Sequence, residues 1–276
     1  MKTFAKSALA AVLAVSVVPA FAGEAPFSRA YSVETSPAGR FEVEQTVRHR
    51  TGRAAGSYSA LDFATEVSYG FTEHFEGAFY LKYGRLDARG VADDEQTPGG
   101  MTRRLTALHG AAAEFIAAVL DPDRDPFGLA FYYEPEFSLH ERDDGASIRE
   151  FENEYRLMVQ KDFLQDRLML LYNLVLAPGF KKTAGETAWK GSLEFANELG
   201  VSFRFVPGWS AGWEFRNLNE LEGFDRHEKS VYWTGPALNY NAGRAWFTLG
   251  LLGKAHAVPS AAGEKWETTL KFGFPF

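Results

Sequence analysis

The chain ends in Trp266-Glu-Thr-Thr-Leu-Lys-Phe-Gly-Phe-Pro-Phe276, a stretch in which two kinds of side chain alternate. Counted back from the end, one set is almost entirely apolar: Phe276, Phe274, Phe272, Leu270, Thr268 and Trp266. The set between them is Pro275, Gly273, Lys271, Thr269 and Glu267. Because successive side chains of a β-strand point to opposite faces, the stretch predicts a strand with one apolar and one polar face.

The same alternation recurs along most of the chain. In the clearest internal example, the apolar face carries Leu61, Phe63, Val67, Tyr69 and Phe71. We predict strands at 41–51, 58–71, 75–86, 105–120, 127–139, 148–162, 167–177, 188–205, 209–219, 229–240, 244–255 and 266–276. In the tenth and eleventh of these, the pattern does not decide which face is apolar.

One segment, residues 105–120, fits two structures. Leu105, Leu108, Ala112 and Phe115 have helical spacing, whereas a strand would place Ala112 and Glu114 on one face. The connections favour the strand. Short turns are predicted at 72–74, 121–126, 163–166, 206–208 and 241–243, and they alternate with connections that are mostly longer and more polar.

This alternation of turns and loops is typical of outer-membrane barrels, which have short periplasmic turns and longer extracellular loops. An even number of strands brings both chain ends to the turn side. In lipid, backbone N–H and C=O groups have no water to bind, so a sheet that spans a membrane must close on itself. We therefore predict an all-β fold: a single antiparallel transmembrane up-and-down β-barrel of about 12 strands, residues 41–276.

The first 22 residues have the features of a cleaved signal peptide. Lys2 and Lys6 precede the apolar run 7–18, and Ala20-Phe21-Ala22 is a cleavage site of the A-x-A type. A transmembrane helix is the alternative, but the run is shorter than the roughly 20 residues that a span needs. We assign residues 1–22 to the signal peptide and residues 23–40, which show no clear period, to a periplasmic lead-in.

Composition narrows the functional classes. The formal net charge of −7 argues against a nucleic-acid partner. The 276 residues include no cysteine, so an exported chain would fold without disulfides. The six histidines are scattered, and none lies at a sequence spacing from a second possible ligand that is typical of a metal site. We expect no metal and no cofactor.

Several stretches resemble known families. The aromatic C-terminal strand, with Phe272, Phe274 and Phe276, resembles the signal that the assembly machinery of bacterial outer-membrane barrels reads. Other stretches resemble uncharacterised porin-like barrels labelled as phenol-degradation meta-pathway proteins: Ser36-Pro-Ala-Gly-Arg-Phe-Glu-Val-Glu-Gln45, Leu120-Asp-Pro-Asp-Arg-Asp-Pro-Phe-Gly-Leu129, Tyr133-Glu-Pro135 and Gln160-Lys-Asp-Phe-Leu-Gln-Asp-Arg-Leu168. The resemblance covers most of the mature chain. It implies a barrel in the bacterial outer membrane and carries no established substrate or catalytic residue.

The sequence offers little support for an enzyme. Gly208-Trp-Ser-Ala-Gly212 matches the letters of the nucleophile elbow, but that motif needs a strand-to-helix turn. Here it enters an alternating strand. No set of Ser, His and Asn or Asp is placed on a lipid face by the periodicity, as a lipid-face serine hydrolase would require. We expect no catalytic residue.

The sharpest candidate site is an acidic cluster. Period 2 places Glu150, Glu152 and Glu154 on one face of the sixth strand, with Glu134 and Glu136 on the matching face of the fifth. Like charges that face each other destabilise a sheet, so they need cations, water or basic partners. The basic residues on predicted lumen faces are Arg48, Arg50, Lys82, Arg156, Arg216 and Lys271. Three interpretations of the acidic cluster stay open: an ion-pair network that fills the lumen, a constriction that favours cations, and an error in the predicted register of these strands.

These observations lead to one expected function and one alternative. We expect porin-like passage of small solutes across the outer membrane, with outer-membrane lipid and the barrel assembly machinery as partners. The alternative is a non-conducting structural or binding barrel that acts through its extracellular loops. The sequence does not reveal whether the lumen is open, which solute passes, or how many copies assemble.

Overall fold

The computed structural model describes residues 26–91 and 100–276, so the predicted signal peptide lies outside the described residues. The strands are β1 (Phe41–Thr51), β2 (Ser57–Thr72), β3 (Phe75–Val91), β4 (Met101–Leu120), β5 (Gly128–His140), β6 (Ser147–Phe163), β7 (Leu168–Thr183), β8 (Lys190–Val206), β9 (Trp209–Glu222), β10 (Arg226–Asn241), β11 (Trp246–Val258) and β12 (Trp266–Pro275). No helix in the described part of the chain is long and apolar enough to span a membrane.

The strands form one closed barrel in which each pairs antiparallel with its neighbours in the chain, and β1 pairs with β12. Closure leaves no free edge, as a sheet in lipid requires. The predicted fold and strand number are confirmed. Residues 105–120 belong to strand β4, so the helical alternative is wrong.

The chain connections separate the two ends of the barrel. The end we call the turn end carries connections 73–74, 121–127, 164–167, 207–208 and 242–245; the loop end carries 52–56, 141–146, 184–189, 223–225 and 259–265. The connection left between the predicted strands 75–86 and 105–120 is shorter than expected, because β3 continues to Val91 and β4 begins at Met101. Charged residues extend this hairpin: Asp87 faces Arg104 in the register, and an Arg104 nitrogen lies 2.7 Å from an Asp87 carboxylate oxygen.

The two faces of the wall have opposite character. Outward side chains are exposed and apolar, for example Phe79, Phe131, Phe151, Leu170 and Leu249, whereas most inward side chains are buried and many are charged. This inverts the usual arrangement of a soluble protein and suits a barrel with lipid outside and polar contents inside. The apolar faces predicted for β2 and β12 are therefore confirmed.

The faces of β10 and β11 become clear only in the structure. Their inward residues include Val231, Trp233 and Leu252, which join a buried apolar cluster with Val175 of β7 and Ala262 of the β11–β12 connection. Over the same part of the strands several outward residues, for example Leu238, Leu249 and Leu251, are also apolar. Both faces therefore lack polar side chains over part of these strands, which explains why the sequence pattern did not separate them.

Three prolines interrupt the ladders of the wall. Cα pairing between β4 and β5 passes from Ala112↔Glu136 to Phe115↔Tyr133 and omits Pro135. The β6–β7 and β10–β11 ladders have the same gap at Pro178 and Pro236. Because proline has no N–H to donate, the wall lacks a ladder hydrogen bond at each point.

The segment before β1 differs from its prediction. Residues 23–40 were expected to lie in the periplasm, but residues 27–36 hydrogen-bond to inward-facing side chains of five strands, so this part lies inside the barrel. The reason is the hydrogen-bonding capacity of the inner wall, which takes up the backbone groups of a segment that has no strand partner.

Candidate functional site

The five predicted acidic residues lie together on the inner wall. In the β5–β6 register Glu134 faces Glu154, Glu136 faces Glu152, and Ser138 faces Glu150. Glu134 and Glu136 are buried, and the three β6 carboxylates are partly exposed. Two pairs of like charges therefore stand directly opposite each other, an arrangement that needs compensating cations.

Lys82 of β3 supplies the first compensation. Its Nζ lies 2.5 Å from Glu134 Oε1 and 2.5 Å from Glu136 Oε2, so one ammonium group bridges two carboxylates. Arg142, from the loop-end connection after β5, adds a contact of 3.0 Å to Glu136. A Glu136 oxygen also accepts a hydrogen bond of 2.8 Å from Ser138 Oγ. Glu134 and Glu136 are thus fully engaged by neighbouring side chains.

Arg156 links the cluster to the next part of the wall. Its guanidinium pairs with Glu154 on the same strand and with Glu198 of β8, at 2.9 Å. Glu198 also pairs with Arg216 of β9 at 3.1 Å, and Arg216 pairs with Glu194 at 3.0 Å. The result is a continuous chain of opposite charges from β6 to β9, which favours the ion-pair reading of these residues.

The other predicted basic residues have partners outside the acidic cluster. Arg48 pairs with Glu267 at 3.5 Å, and Lys271 lies 3.9 Å from Glu44. Arg50 pairs with Asp62, Asp143 and Glu264 at the loop end. Of the six cations, the structure brings Lys82 and Arg156 to the predicted acidic residues.

Two carboxylates of the cluster differ from the rest. Within residues 26–91 and 100–276, neither Glu150 nor Glu152 forms an ion pair or a side-chain hydrogen bond. Glu152 faces Gly179 of β7, which offers no side chain, and Glu150 faces Lys181, whose ammonium pairs with Glu141 instead. These two residues are the carboxyl groups of the cluster that no cation of the described residues contacts.

The N-terminal segment, residues 27–36, crosses the lumen on a series of anchors. The backbone N–H groups of Ser28 and Arg29 donate to the two Glu214 carboxylate oxygens at 2.7 and 3.0 Å. The Arg29 guanidinium binds Glu267, with atoms 2.7 and 2.5 Å apart. Tyr31 exchanges two backbone hydrogen bonds with the Asn173 side-chain amide, at 2.6 and 3.0 Å.

The segment continues to the turn end along the same wall. Val33 N donates to Gln160 at 3.3 Å, and the Ser36 N–H and hydroxyl both donate to Glu76, at 2.6 and 3.1 Å. Hydrogen bonds to charged groups are the stronger kind, about 1.5–3 kcal/mol each. The segment is therefore held at both ends by carboxylates of the wall.

Phe27 fills a niche made by glycines. Its ring is fully buried, and a Cβ built on Gly200 or Gly212 would lie 2.6 or 2.9 Å from ring carbons. Ser28 likewise occupies the space in front of Gly250. The sequence analysis did not predict that Phe27 and Ser28 pack against the inner wall. The one feature of the sequence that could have indicated it is the set of inward glycines on β8, β9 and β11.

A second charged cluster narrows the loop end. Arg50 of β1 and Arg53 both contact Asp143 and Glu264, which come from the connections after β5 and β11. Burial alone would raise the pKa of Asp143, but the charges of Arg50 and Arg53 hold it well below its ordinary value. The two loops are thus drawn toward the inner wall by a buried, permanently charged pair of arginines.

The nucleophile-elbow letters do not form an elbow. Ser210 lies at the start of β9, after the turn 207–208, and a strand rather than a helix follows. Its Oγ lies 3.5 Å from Asn239 Oδ1, and no histidine in the described part of the chain hydrogen-bonds to it. The geometry offers no activated nucleophile here.

Substitution of Lys82 tests the ion-pair reading. Lys82→Met keeps most of the side-chain stem but leaves two buried carboxylates without their shared cation. Breaking a buried pair in this way costs about 3–5 kcal/mol. The matched control, Lys190→Met, breaks the exposed pair with Glu186 and should destabilise the fold far less, because exposed ion pairs contribute little. Urea titration of the protein folded in bilayers measures both, and equal losses would contradict the ion-pair reading.

Solved structures share this fold at low identity. The COG4313 outer-membrane channel from Pseudomonas putida F1 superimposes with a TM-score of 0.67 at 12% identity, over 88% of this chain and 98% of that one. The β domain of the Bordetella autotransporter BrkA gives 0.50 at 11% identity, over 85% and 98%. At such identities the likeness shows the fold alone, that of an outer-membrane barrel.

The sequence comparisons identify a family whose function is unknown. No curated protein matches the chain significantly. The outward apolar band, the polar lumen and the closed 12-strand wall together make the protein a bacterial outer-membrane barrel. A family model matches residues 19–271, and the chain belongs to this family of unknown function, DUF6662.

Proposed function

We propose that the barrel passes small hydrophilic solutes through its lumen, without an energy source of its own. The observation that carries the proposal is the inner wall, which presents charged side chains from Glu76 near the turn end to Arg50 near the loop end. Polar walls keep water in a lumen, whereas apolar constrictions tend to lose it. Twelve strands lie between the eight of filled barrels and the 16–18 of wide porins, so the passage is narrow.

Cations are the solutes that the wall favours. Glu150 and Glu152 are carboxyl groups that no cation contacts in the described part of the chain. Carboxylates that line a pore set a preference for cations. The paired residues Glu134, Glu136 and Glu154 contribute less to this preference, because Lys82, Arg142 and Arg156 balance their charges.

One observation supports the alternative, a non-conducting structural or binding barrel. The N-terminal segment and the Arg50–Arg53 cluster both place side chains across the interior. If this arrangement is permanent, the lumen stays closed and any function belongs to the loops. Conductance separates the two functions directly.

The first prediction from this proposed function concerns the N-terminal segment. Phe27→Ala combined with Arg29→Ala removes the ring from its niche and the ion pair with Glu267. We expect a larger single-channel conductance in planar bilayers than for the unmodified protein, because the segment no longer fills the lumen. A matched control, Trp189→Ala, changes an exposed aromatic at the loop end. Absence of conductance in both the unmodified protein and the double variant would support the structural barrel.

The second prediction concerns selectivity. Glu150→Gln with Glu152→Gln replaces the two unpaired carboxyl groups with neutral amides and leaves every ion pair of the cluster intact. The reversal potential in a salt gradient should shift away from cation preference, with unchanged folding. Glu186→Gln, which alters an exposed loop carboxylate, should leave the potential where it was. An unchanged potential in the double variant would show that these carboxylates do not line the ion path.

The C-terminal strand supports a proposal about assembly. Phe276 closes the barrel through backbone hydrogen bonds with Phe41 of 3.2 and 2.8 Å, and Phe272 and Phe274 lie on the outward side of the strand. We propose that the assembly machinery reads these aromatic residues. Deletion of Phe276 should reduce the heat-modifiable barrel in outer-membrane fractions, whereas Phe276→Tyr should restore it. Undiminished barrel in the deletion variant would count against the signal.

A further inference from the structure

The outer face of the barrel carries a group of polar side chains that the passage of solutes does not use. We call it the amide patch: Tyr172 of β7, Asn197 of β8, Asn217 and Asn219 of β9, and Ser230 of β10. Each of these residues alternates with an inward neighbour; for example, Ala196 and Glu198 flank Asn197 and are buried in the interior. The amide patch therefore faces the lipid side of the wall.

Side-chain hydrogen bonds join the amide patch across four strands. Tyr172 Oη donates to Asn197 Oδ1 at 2.8 Å, and Asn197 Nδ2 donates to Asn217 Oδ1 at 3.3 Å. Asn219 Nδ2 donates to the same Asn217 oxygen at 3.0 Å, and Ser230 Oγ donates to Asn219 Oδ1 at 2.7 Å. The pairs are direct neighbours in the register, Asn197↔Asn217 and Asn219↔Ser230.

The amide patch interrupts the apolar band. Toward the turn end the same strands expose Leu199 and Val201, at 47% and 40% of their surface. Toward the loop end Phe180 and Phe224 are exposed at 49% and 41%. Because exposed apolar side chains lie on both sides, the amides belong to the lipid-facing surface and do not lie above it. Lipid tails offer no hydrogen bonds, so polar groups there are costly unless a partner binds them.

The internal hydrogen bonds use the full capacity of Asn219, whose N–H groups donate to Asn217 Oδ1 and Phe195 O and whose oxygen accepts from Asn217 and Ser230, but they do not use the full capacity of Asn197 or Asn217. A carboxamide has two N–H donors and two acceptor lone pairs. Asn197 donates once and accepts once in the described contacts, so donor and acceptor capacity remains toward the outside. Asn217 donates once and therefore keeps one N–H as well. A surface that offers both an N–H donor and a carbonyl acceptor can pair with a copy of itself.

We infer that the amide patch is the contact surface for a second copy of this chain in the membrane. A twofold interface brings the same residues of both copies together, and amides can hydrogen-bond to amides across it, as they do between membrane helices. An anionic lipid headgroup fits less well, because the five residues of the patch include no cation. The interface would leave both lumens independent, so this inference does not rest on the proposed passage.

The chain contains no cysteine, so single cysteines report contacts without ambiguity. Asn217→Cys lies in the centre of the amide patch, and the control Phe131→Cys lies on the outward face of β5, where Phe131 is exposed at 52%. After mild oxidation of intact outer membranes, we expect a covalent dimer for Asn217→Cys and monomer for Phe131→Cys. Equal dimer from both positions, or monomer from both, would overturn the inference.

A second experiment covers the case in which Asn217→Cys fails to fold. Leu199→Cys lies beside the amide patch and should also form a covalent dimer. Adding Asn197→Leu, Asn217→Leu and Asn219→Leu makes this surface uniformly apolar, and the dimer should disappear while folded barrel persists. Unchanged cross-linking in this background would overturn the inference. So would native mass spectrometry of the unmodified protein that finds only monomers, with or without bound lipopolysaccharide.

Discussion

The structure depends on one constraint: backbone N–H and C=O groups in hydrocarbon have no partner except each other. Closing the sheet between β1 and β12 satisfies this constraint at the last edge, where Phe41 and Phe276 exchange backbone hydrogen bonds. Every other feature follows from which side of the closed wall a residue faces. Residues that face outward contact lipid and are mostly apolar. Residues that face inward are often polar, and their hydrogen-bonding groups and charges must pair with one another.

The polar interior is organised by pairing across strands that are distant in sequence. Lys82 of β3 reaches two glutamates of β5, and Glu198 of β8 binds arginines from both of its sides. Such pairs contribute little net stability, but removing one partner is costly. The stability of the barrel is therefore sensitive to the loss of any one paired charge in the interior. This sensitivity suits a lumen of defined shape.

The alternation of lipid and water explains what the sequence predicted well. Phe63 and Phe151 mark lipid faces because period 2 is visible within one strand, and Glu134 and Glu152 mark the lumen for the same reason. Partners such as Lys82 depend on barrel closure and register, which no local pattern contains. The segment around Phe27 and Tyr31 has no period at all, so its position inside the barrel had no signal except glycines on strands far along the chain.

The anchors of the N-terminal segment also impose an order of events. They lie on β3, β6, β7, β9 and β12, through Glu76, Gln160, Asn173, Glu214 and Glu267. The N-terminal segment therefore cannot complete its contacts until β12, the last strand of the barrel, is in place. A fully docked segment therefore indicates that the barrel has assembled, because its anchoring residues come together only in the finished barrel.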